Sequence, residues 1–378
     1  MSGIYLHIPF CKQACSYCDF YFVTRTSEQE RFVDKLTEEI RSYADTPYAG
    51  EPVQTVYFGG GTPSLLEPAQ VERILEALRS TFNLQLQELT LEMNPDDVRA
   101  DYLRALRSLG VDRASMGVQT FNPDLLKFMN RAHTREEALQ CLEVLSRSGF
   151  STFTVDLIYG NPGQSRDDLE ADLDQLLAFD PPHVSAYSLT VEPNTRLGKQ
   201  VSLGRIVPPE DDAVADHFDL VAERLREHGI RRYEVSNFSK PGHEAVHNSN
   251  YWRHCNYLGL GPGAHSFWWN GVAKRWKNKP DLRAYLRENR EAVIDEVEEL
   301  SLHELAEERI MLALRTREGL SVDELKQKYH YSVNERQREY LERSRHEGTL
   351  SFDDRIVLTG EGIRIADAVI LDLITLHG

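Results

Sequence analysis

The sequence predicts an α/β protein organised around a parallel sheet, with a small α+β unit at its C-terminal end. Three features carry that expectation. Over the first 230 residues, six short apolar and β-branched runs alternate with six stretches of helical spacing. The alternation stops near residue 230. A different pattern, helices followed by a short hairpin, begins near residue 301.

The strand runs are Ile4–Ile8, Thr55–Phe58, Glu88–Glu92, Arg113–Val118, Thr152–Ile158 and His183–Leu189. Between them apolar side chains recur every three or four positions, which gathers them on one helical face. Phe32, Leu36 and Ile40 mark the first face, and Val71, Ile74, Leu75 and Leu78 the second. Leu103, Leu106 and Leu109 follow, then Ala138, Leu142 and Leu145. Leu169, Leu173, Leu176 and Leu177 form the fifth, and Phe218, Val221 and Leu225 the sixth. Six units are fewer than the eight that close a barrel, so the pattern admits an open barrel or a doubly wound sheet. Both place functional residues at the C-terminal ends of the strands.

This first unit spans residues 1–230. Residues 231–300, rich in Asn, His, Gly and aromatics, are expected to cap it, with the acidic stretch Glu291–Glu308 helical. Residues 301–378 form the last unit. It opens with a helix over Leu305–Leu314, continues through Gly319–Leu325 and closes with Ile356–Leu358, Gly360 and Ile363–Ile365. Helices followed by a hairpin describe a winged-helix-like module. Few basic residues line up on any one of its helices, so it is expected to serve structure or a partner and not DNA.

A chain of 378 residues, 41% hydrophobic and 27% charged, buries a core without disulfides and is neither disordered nor fibrous. No apolar run approaches the ~18–20 residues of a membrane helix. The net charge of −17 opposes binding to nucleic acid and to anionic membranes, both of which draw on Lys and Arg. The N-terminus has no basic stretch followed by an apolar one, and the five cysteines fit a reducing compartment. A cytoplasmic location is expected, with any membrane contact made through partners.

Cys11, Cys15 and Cys18 stand in C-x3-C-x2-C spacing directly after the first strand. Three thiolates on one short loop can point at one soft metal centre. A four-iron cluster held by three cysteines keeps one iron open to another ligand. Zinc is the alternative, with Cys255 or a histidine as its fourth ligand; Cys141, mid-helix among apolar residues, is not expected to take part. Three glycines, Gly59, Gly60 and Gly61, follow the second strand and let a backbone with free N–H groups approach a ligand. The Gly-Lys-Ser/Thr ending of a phosphate loop is missing. Glu92, Gln119 and Asp156 lie on or just after the third, fourth and fifth strands, where a polar residue is costly unless paired or functional. Arg131 can grip a carboxylate in bidentate fashion.

Taken together, these motifs resemble the radical S-adenosylmethionine (SAM) superfamily. The strings at residues 7–11, 57–63 and 117–120 resemble one branch of it, the oxygen-independent coproporphyrinogen oxidases and the related haem chaperones, nearly end to end. The resemblance implies an open six-unit (β/α)6 partial TIM barrel with a winged-helix-like domain behind it. It implies a [4Fe-4S] cluster on Cys11, Cys15 and Cys18. It also implies a SAM site lined by Tyr5, Tyr17, Gly60, Gly61, Thr62, Glu92, Gln119, Arg131 and Asp156. In the superfamily the open iron chelates the methionine end of SAM, and the reduced cluster cleaves SAM to a 5′-deoxyadenosyl radical.

Two departures separate the sequence from the oxidases. They resemble C-x3-C-x2-C-x-C, and Phe20 stands here in place of the fourth cysteine. They also carry an N-terminal extension, whereas ten residues precede Cys11 here. His247, Asn248, Tyr251 and Trp252 fit the H-N-x-x-Y-W pattern of the chaperones. Imidazole is a standard axial ligand of haem iron, and Tyr and Trp offer flat faces to a porphyrin. The resemblance therefore implies a protein that binds haem and passes it to respiratory or membrane haemoproteins. His247 is the expected ligand, with His243, His254, His265 and Cys255 as competitors. A homodimer is compatible with the group. Competing readings are a coproporphyrinogen oxidase, a radical SAM methyltransferase and a zinc-stabilised scaffold.

Overall fold

A computed structural model describes residues 2–377. Six parallel strands form the middle of a twelve-stranded sheet. They are β1 (Ser2–Ile8), β2 (Val53–Gly60), β3 (Leu84–Met93), β4 (Arg113–Gln119), β5 (Thr152–Tyr159) and β6 (His183–Ser188), side by side in chain order. The helices that cover them are α1 (Gln29–Arg41), α2 (Pro68–Thr81), α3 (Ala100–Leu109), α4 (Arg135–Ser146), α5 (Arg166–Leu177) and α6 (Asp211–Glu227). All six expected runs and all six apolar faces reappear, with ends shifted by a few residues. Thr134 and Ser165 close capping boxes at the starts of α4 and α5, which is why those helices begin where they do.

The strands alternate with period two, and the two faces differ in kind. Leu89, Leu91, Ala114, Met116, Val118, Val155, Leu157, Val184 and Ala186 turn outward and pack on the helices in the main core. Their neighbours Thr90, Glu92, Arg113, Ser115, Thr154, Asp156, His183 and Ser185 turn inward, into the concave face. That polar interior is the ground on which a site can be built.

Residues 231–300 lengthen the same sheet at both edges. The short strands β7 (Arg231–Arg232) and β8 (Asn237–Ser239) continue it antiparallel beyond β6. Beyond β1 come β9 (Asn256–Leu260), parallel to it, then β10 (His265–Asn270), β11 (Val272–Asn278) and β12 (Ile294–Leu300), each antiparallel to the one before. The strand order, with β12 and β7 at its ends, leaves the barrel open.

One sequence expectation fails here. The acidic stretch read as helical over Glu291–Glu308 contains β12, and a helix resumes only with α8 (Leu302–Leu314). Glu is a good helix former, but in the register with β11 its carboxylates find cations across the strands: Arg275 with Glu298 at 2.9 Å, Lys274 with Glu299 at 3.0 Å and Lys277 with Glu296 at 2.9 Å. Opposite charges directly across a ladder outweigh local propensity.

Between β8 and β9 the chain forms a short helix, α7 (Val246–Trp252), that enters the barrel at its N-terminal end. Glu88 on β3 accepts hydrogen bonds from the Val246 N–H (2.8 Å) and the His247 N–H (3.0 Å). Arg113, also fully buried, stands 3.9 Å from the same carboxylate.

The C-terminal unit has its own core, which reaches the sheet through Phe267 and Ala273 of β10 and β11. After α8 it runs through β13 (Leu320–Ser321), α9 (Val322–Tyr329), α10 (Glu335–His346) and the hairpin β14 (Leu350–Phe352) and β15 (Arg355–Leu358). The expected closing run at Ile363–Ile365 is not a strand. It belongs to a helical turn, and the chain ends in α11 (Ala366–Thr375), whose apolar face the sequence reading did not pick out. Among the described residues no helix is long and apolar enough to cross a membrane.

A buried carboxylate ties the parallel core to the antiparallel extension. Glu39 of α1 accepts hydrogen bonds from the Tyr285 hydroxyl (2.6 Å), the Gly261 N–H (2.9 Å) and the Asn278 amide (3.1 Å). Truncation strands three buried donors. Glu39→Ala is expected to lower the unfolding free energy by ~2–4 kcal/mol, measured by urea denaturation. An unchanged midpoint would show that the extension is held by packing alone.

Candidate functional site

The cysteine loop follows β1 and is strapped down from several sides. The Cys11 N–H donates to the Val23 carbonyl at 3.0 Å, and the Ser16 N–H to the Met129 carbonyl at 2.9 Å. The Asn130 amide donates to the Ala14 carbonyl at 2.7 Å. Lys12 forms ion pairs with Asp96 and Asp97 after β3. These bonds aim Cys11, Cys15 and Cys18 into a cavity of about 470 Å³ over the C-terminal ends of β2–β6. Among the described residues no group of three His, Cys, Asp or Glu side chains is placed to hold a single metal ion.

Tyr17, Gly60, Gly61, Thr62, Glu92, Gln119, Arg131 and Asp156 line this same cavity. Tyr5 does not. It stacks on Tyr57 at 6.1 Å but lies against a second cavity on the other side of β1. Alternation gives the face of the strand; it does not say which neighbouring hollow the ring fills.

The residues of the cluster cavity hold each other. The Tyr57 hydroxyl donates to Glu92 at 2.7 Å, and the Gly60 N–H to the other Glu92 oxygen at 3.2 Å. Desolvation, with the nearby Asp156 adding to it, lifts the Glu92 carboxyl to about 7 against those two bonds. Asp156 rises to about 6, again by desolvation, opposed by the Ser185 hydroxyl. The Arg131 guanidinium donates to Asn94 and to the Gly117 carbonyl, both at 2.7 Å, and to Cys15 Sγ at 3.4 Å. Its Nε is buried without a partner. The Thr62 hydroxyl donates to Cys11 Sγ at 3.6 Å. Desolvation pushes the Cys18 thiol up to about 12.

Two backbone positions are shaped for close approach. Gly60 has φ of +102°, and a Cβ there would fall 2.6 Å from the His7 ring. Gln119 has φ of +70°, a strained conformation for a residue with a side chain, at the mouth of the cavity.

Tyr57, Asn94 and Ser185 also line the cavity and are unexpected there; Asn248, expected only as part of the H-N-x-x-Y-W pattern, joins them. Tyr57 and Ser185 break apolar strands at the inward positions, the same signal that singled out Asp156. Asn94 carries no such mark.

His247 is not in either cavity. Its ring is 1% exposed and both nitrogens are engaged: Nδ1 lies 2.8 Å from Thr55 Oγ1 and Nε2 lies 2.8 Å from the Tyr251 hydroxyl. It stacks on Tyr57 at 5.0 Å. Burial lowers its pKa to about 3, so it is neutral at pH 7. In this arrangement both ring nitrogens are engaged with hydroxyls, and the imidazole forms part of the floor of the barrel. His243 bonds Thr152 at 3.1 Å. His254, His265 and Cys255 line the second cavity.

An open parallel barrel with three thiols above its strand ends is the architecture of a radical SAM protein. The pattern of the radical SAM superfamily matches residues 5–176, and that of the HemN C-terminal domain matches residues 300–365. The haem chaperone HemW of Lactococcus lactis is 36% identical over 97% of this chain and 96% of its own length. HemW of Mycobacterium tuberculosis is 36% identical over 98% and 94%, and HemW of Bacillus subtilis 34% identical over 88% of each. Among solved structures, coproporphyrinogen III oxidase (HemN) of Escherichia coli, a radical SAM enzyme, superposes with a TM-score of 0.82. It shares 21% identity and covers 100% of this chain and 89% of its own. The chain belongs to the HemW family of the radical SAM superfamily.

The floor role of His247 has a pH signature. Its folded pKa lies below the ordinary value of 6.5, so the unfolded chain takes up a proton first as pH falls. The stability it contributes is complete above 6.5 and drains away as pH drops toward about 3. The stability gap between wild type and His247→Gln is expected to be ~2–4 kcal/mol at pH 7.5 and to narrow steadily down to pH 4.5. Urea midpoints at four or five pH values measure it. A gap independent of pH would mean that the ring is not buried neutral.

Proposed function

We propose that this chain is a haem chaperone that carries a [4Fe-4S] cluster on Cys11, Cys15 and Cys18, takes SAM beside it, binds haem and hands it to haemoproteins. The observation that carries the reading is the thiol-ringed cavity in a chain that matches HemW proteins over nearly its whole length. Three thiols lining one roomy hollow suit a cubane several ångströms across. A lone zinc ion needs its sulfurs gathered at ~2.3 Å from one point.

The remaining groups fit SAM by chemistry. Glu92, with its carboxyl near neutrality in pKa and one bond on each oxygen, can receive an ammonium group beside the Gly60–Thr62 turn. The unpartnered Arg131 Nε supports the same reading, because a buried donor calls for an acceptor. Asp156 and Gln119 offer hydrogen bonds to the hydroxyl and amide groups of a ligand in the cavity. When bound, cluster and SAM supply one-electron radical chemistry. The chain's own part is to hold the cluster by three thiols, leave one corner open, and keep bulk water away with the walls of β2–β6. Phe20, where the oxidases resemble a fourth cysteine, sets this chain apart from porphyrinogen oxidation.

Anaerobic reconstitution with iron and sulfide is expected to give about four iron per chain and a visible charge-transfer band, both lost in Cys15→Ser. Such protein is expected to bind haem saturably, release it to an apo-haemoprotein, and form no product from coproporphyrinogen. Zinc in place of iron, or turnover of coproporphyrinogen, would overturn the reading.

A further inference from the structure

The second cavity is the larger, about 840 Å³, near the top of the ~300–1,000 Å³ range that holds cofactor-sized ligands. It lies on the same concave face as the cluster cavity, on the other side of β1. β9, β10 and β11 line it, together with Glu308, Met311 and Leu312 of α8 from the C-terminal unit. Asp19 and Phe20 of the cysteine loop line both cavities.

We propose that haem binds in this second cavity, with the His265 imidazole on the iron and Arg275 and Lys277 at the propionates. The inference rests on the chaperone reading above and assigns its cargo a place.

Three requirements of haem are met there. The first is a flat apolar enclosure. Phe20, Tyr21, Tyr251, Tyr257 and Phe267 supply aromatic surface, and Met311 of α8 faces them. Phe20 is 67% exposed and Met311 37%, an apolar pair left to water unless something covers it.

The second requirement is a free ligand atom. Four candidates line the cavity: His7, His254, His265 and Cys255. His7 is spent on the Tyr21 carbonyl (2.8 Å) and the Tyr5 hydroxyl (3.2 Å). His254 is buried: its Nδ1 bonds the Tyr329 hydroxyl (3.2 Å), and its Nε2, which makes no hydrogen bond, is screened by the Glu308 carboxylate at 3.3 Å. His265 is exposed, and among the described residues neither of its ring nitrogens has a hydrogen-bond partner. Desolvation and the neighbouring Lys277 and Arg275 keep that ring neutral, with a lone pair to give. The Cys255 thiol is raised by desolvation and stays protonated, which makes it the poorer donor.

The third requirement is positive charge at the edge. The register of β10 with β11 sets His265 directly across from Lys277, and Phe267 across from Arg275, on one face. The imidazole, one ring face and both cations therefore share a wall. In the empty cavity Arg275 turns to Glu298 and Glu308, and Lys277 to Glu296. Glu298 and Glu296 stay mostly exposed while paired, so either can yield its cation to a propionate at small cost.

The test uses the full cluster-loaded chain, titrated anaerobically with haem and followed at the Soret band. Wild type, His265→Ala, Cys255→Ala and the double variant Arg275→Gln with Lys277→Gln are compared. His265 is exposed, so its truncation leaves folding intact, and circular dichroism verifies it. His265→Ala is expected to weaken binding roughly tenfold or more and to shift the Soret band, with added imidazole restoring the wild-type spectrum. The double variant is expected to weaken binding with the band unmoved, and Cys255→Ala to leave both unchanged. Saturable binding to wild type with His265→Ala indistinguishable from it would overturn the placement and leave the chaperone standing. A band moved by Cys255→Ala but not by His265→Ala would overturn it as well. No saturable binding to wild type would bring down the chaperone reading itself.

Discussion

The architecture hangs on what the Glu88 carboxylate does at the bottom of an unclosed barrel. Six strands leave the lumen open and polar, and a buried carboxylate beside a buried arginine is costly unless its lone pairs are filled. Here the first N–H groups of α7 fill them. That contact draws α7 into the lumen and distributes its side chains. His247 seats on Thr55 and Tyr57, Asn248 faces the cluster cavity, and Tyr251 reaches the aromatic one. One charge arrangement thus sets the floor of two compartments.

Much of this is written in local sequence. Period-two and period-3.6 spacing carries the strands and helices because burial on one face enforces it. The cysteine spacing carries the thiol loop, since three ligands on eight residues have little freedom to diverge. What local pattern cannot carry is partnership across the chain. Residues 294–300 look helical until the cations of β11 stand opposite them. His247 reads as a ligand among aromatics, and nothing near it in sequence shows that Thr55, 192 positions earlier, occupies one of its nitrogens. Tyr5 has the expected face of the expected strand, and its ring lines the hollow on the far side of β1.

The cluster cavity is stiff for its contents. Arg131 alone ties Asn94, the Gly117 carbonyl and Cys15 together, and Thr62 bridges Asn94 and Cys11. Ligand positions fixed by neighbours' hydrogen bonds cost little entropy when a cofactor arrives. The strained Gln119 backbone is held by the same surroundings, since an unfavourable φ persists only where the structure around it over-determines it.

Asp19 and Phe20 belong to the walls of both compartments. A wall in common makes the two occupancies thermodynamically linked. If filling one side fixes the loop, the other side gains in affinity by some factor, and the first gains by the same factor in return. Because ordering a loop draws on conformational entropy, such coupling requires no visible displacement. The two residues after Cys18 then form a two-way gauge, through which each compartment would report its occupancy to the other.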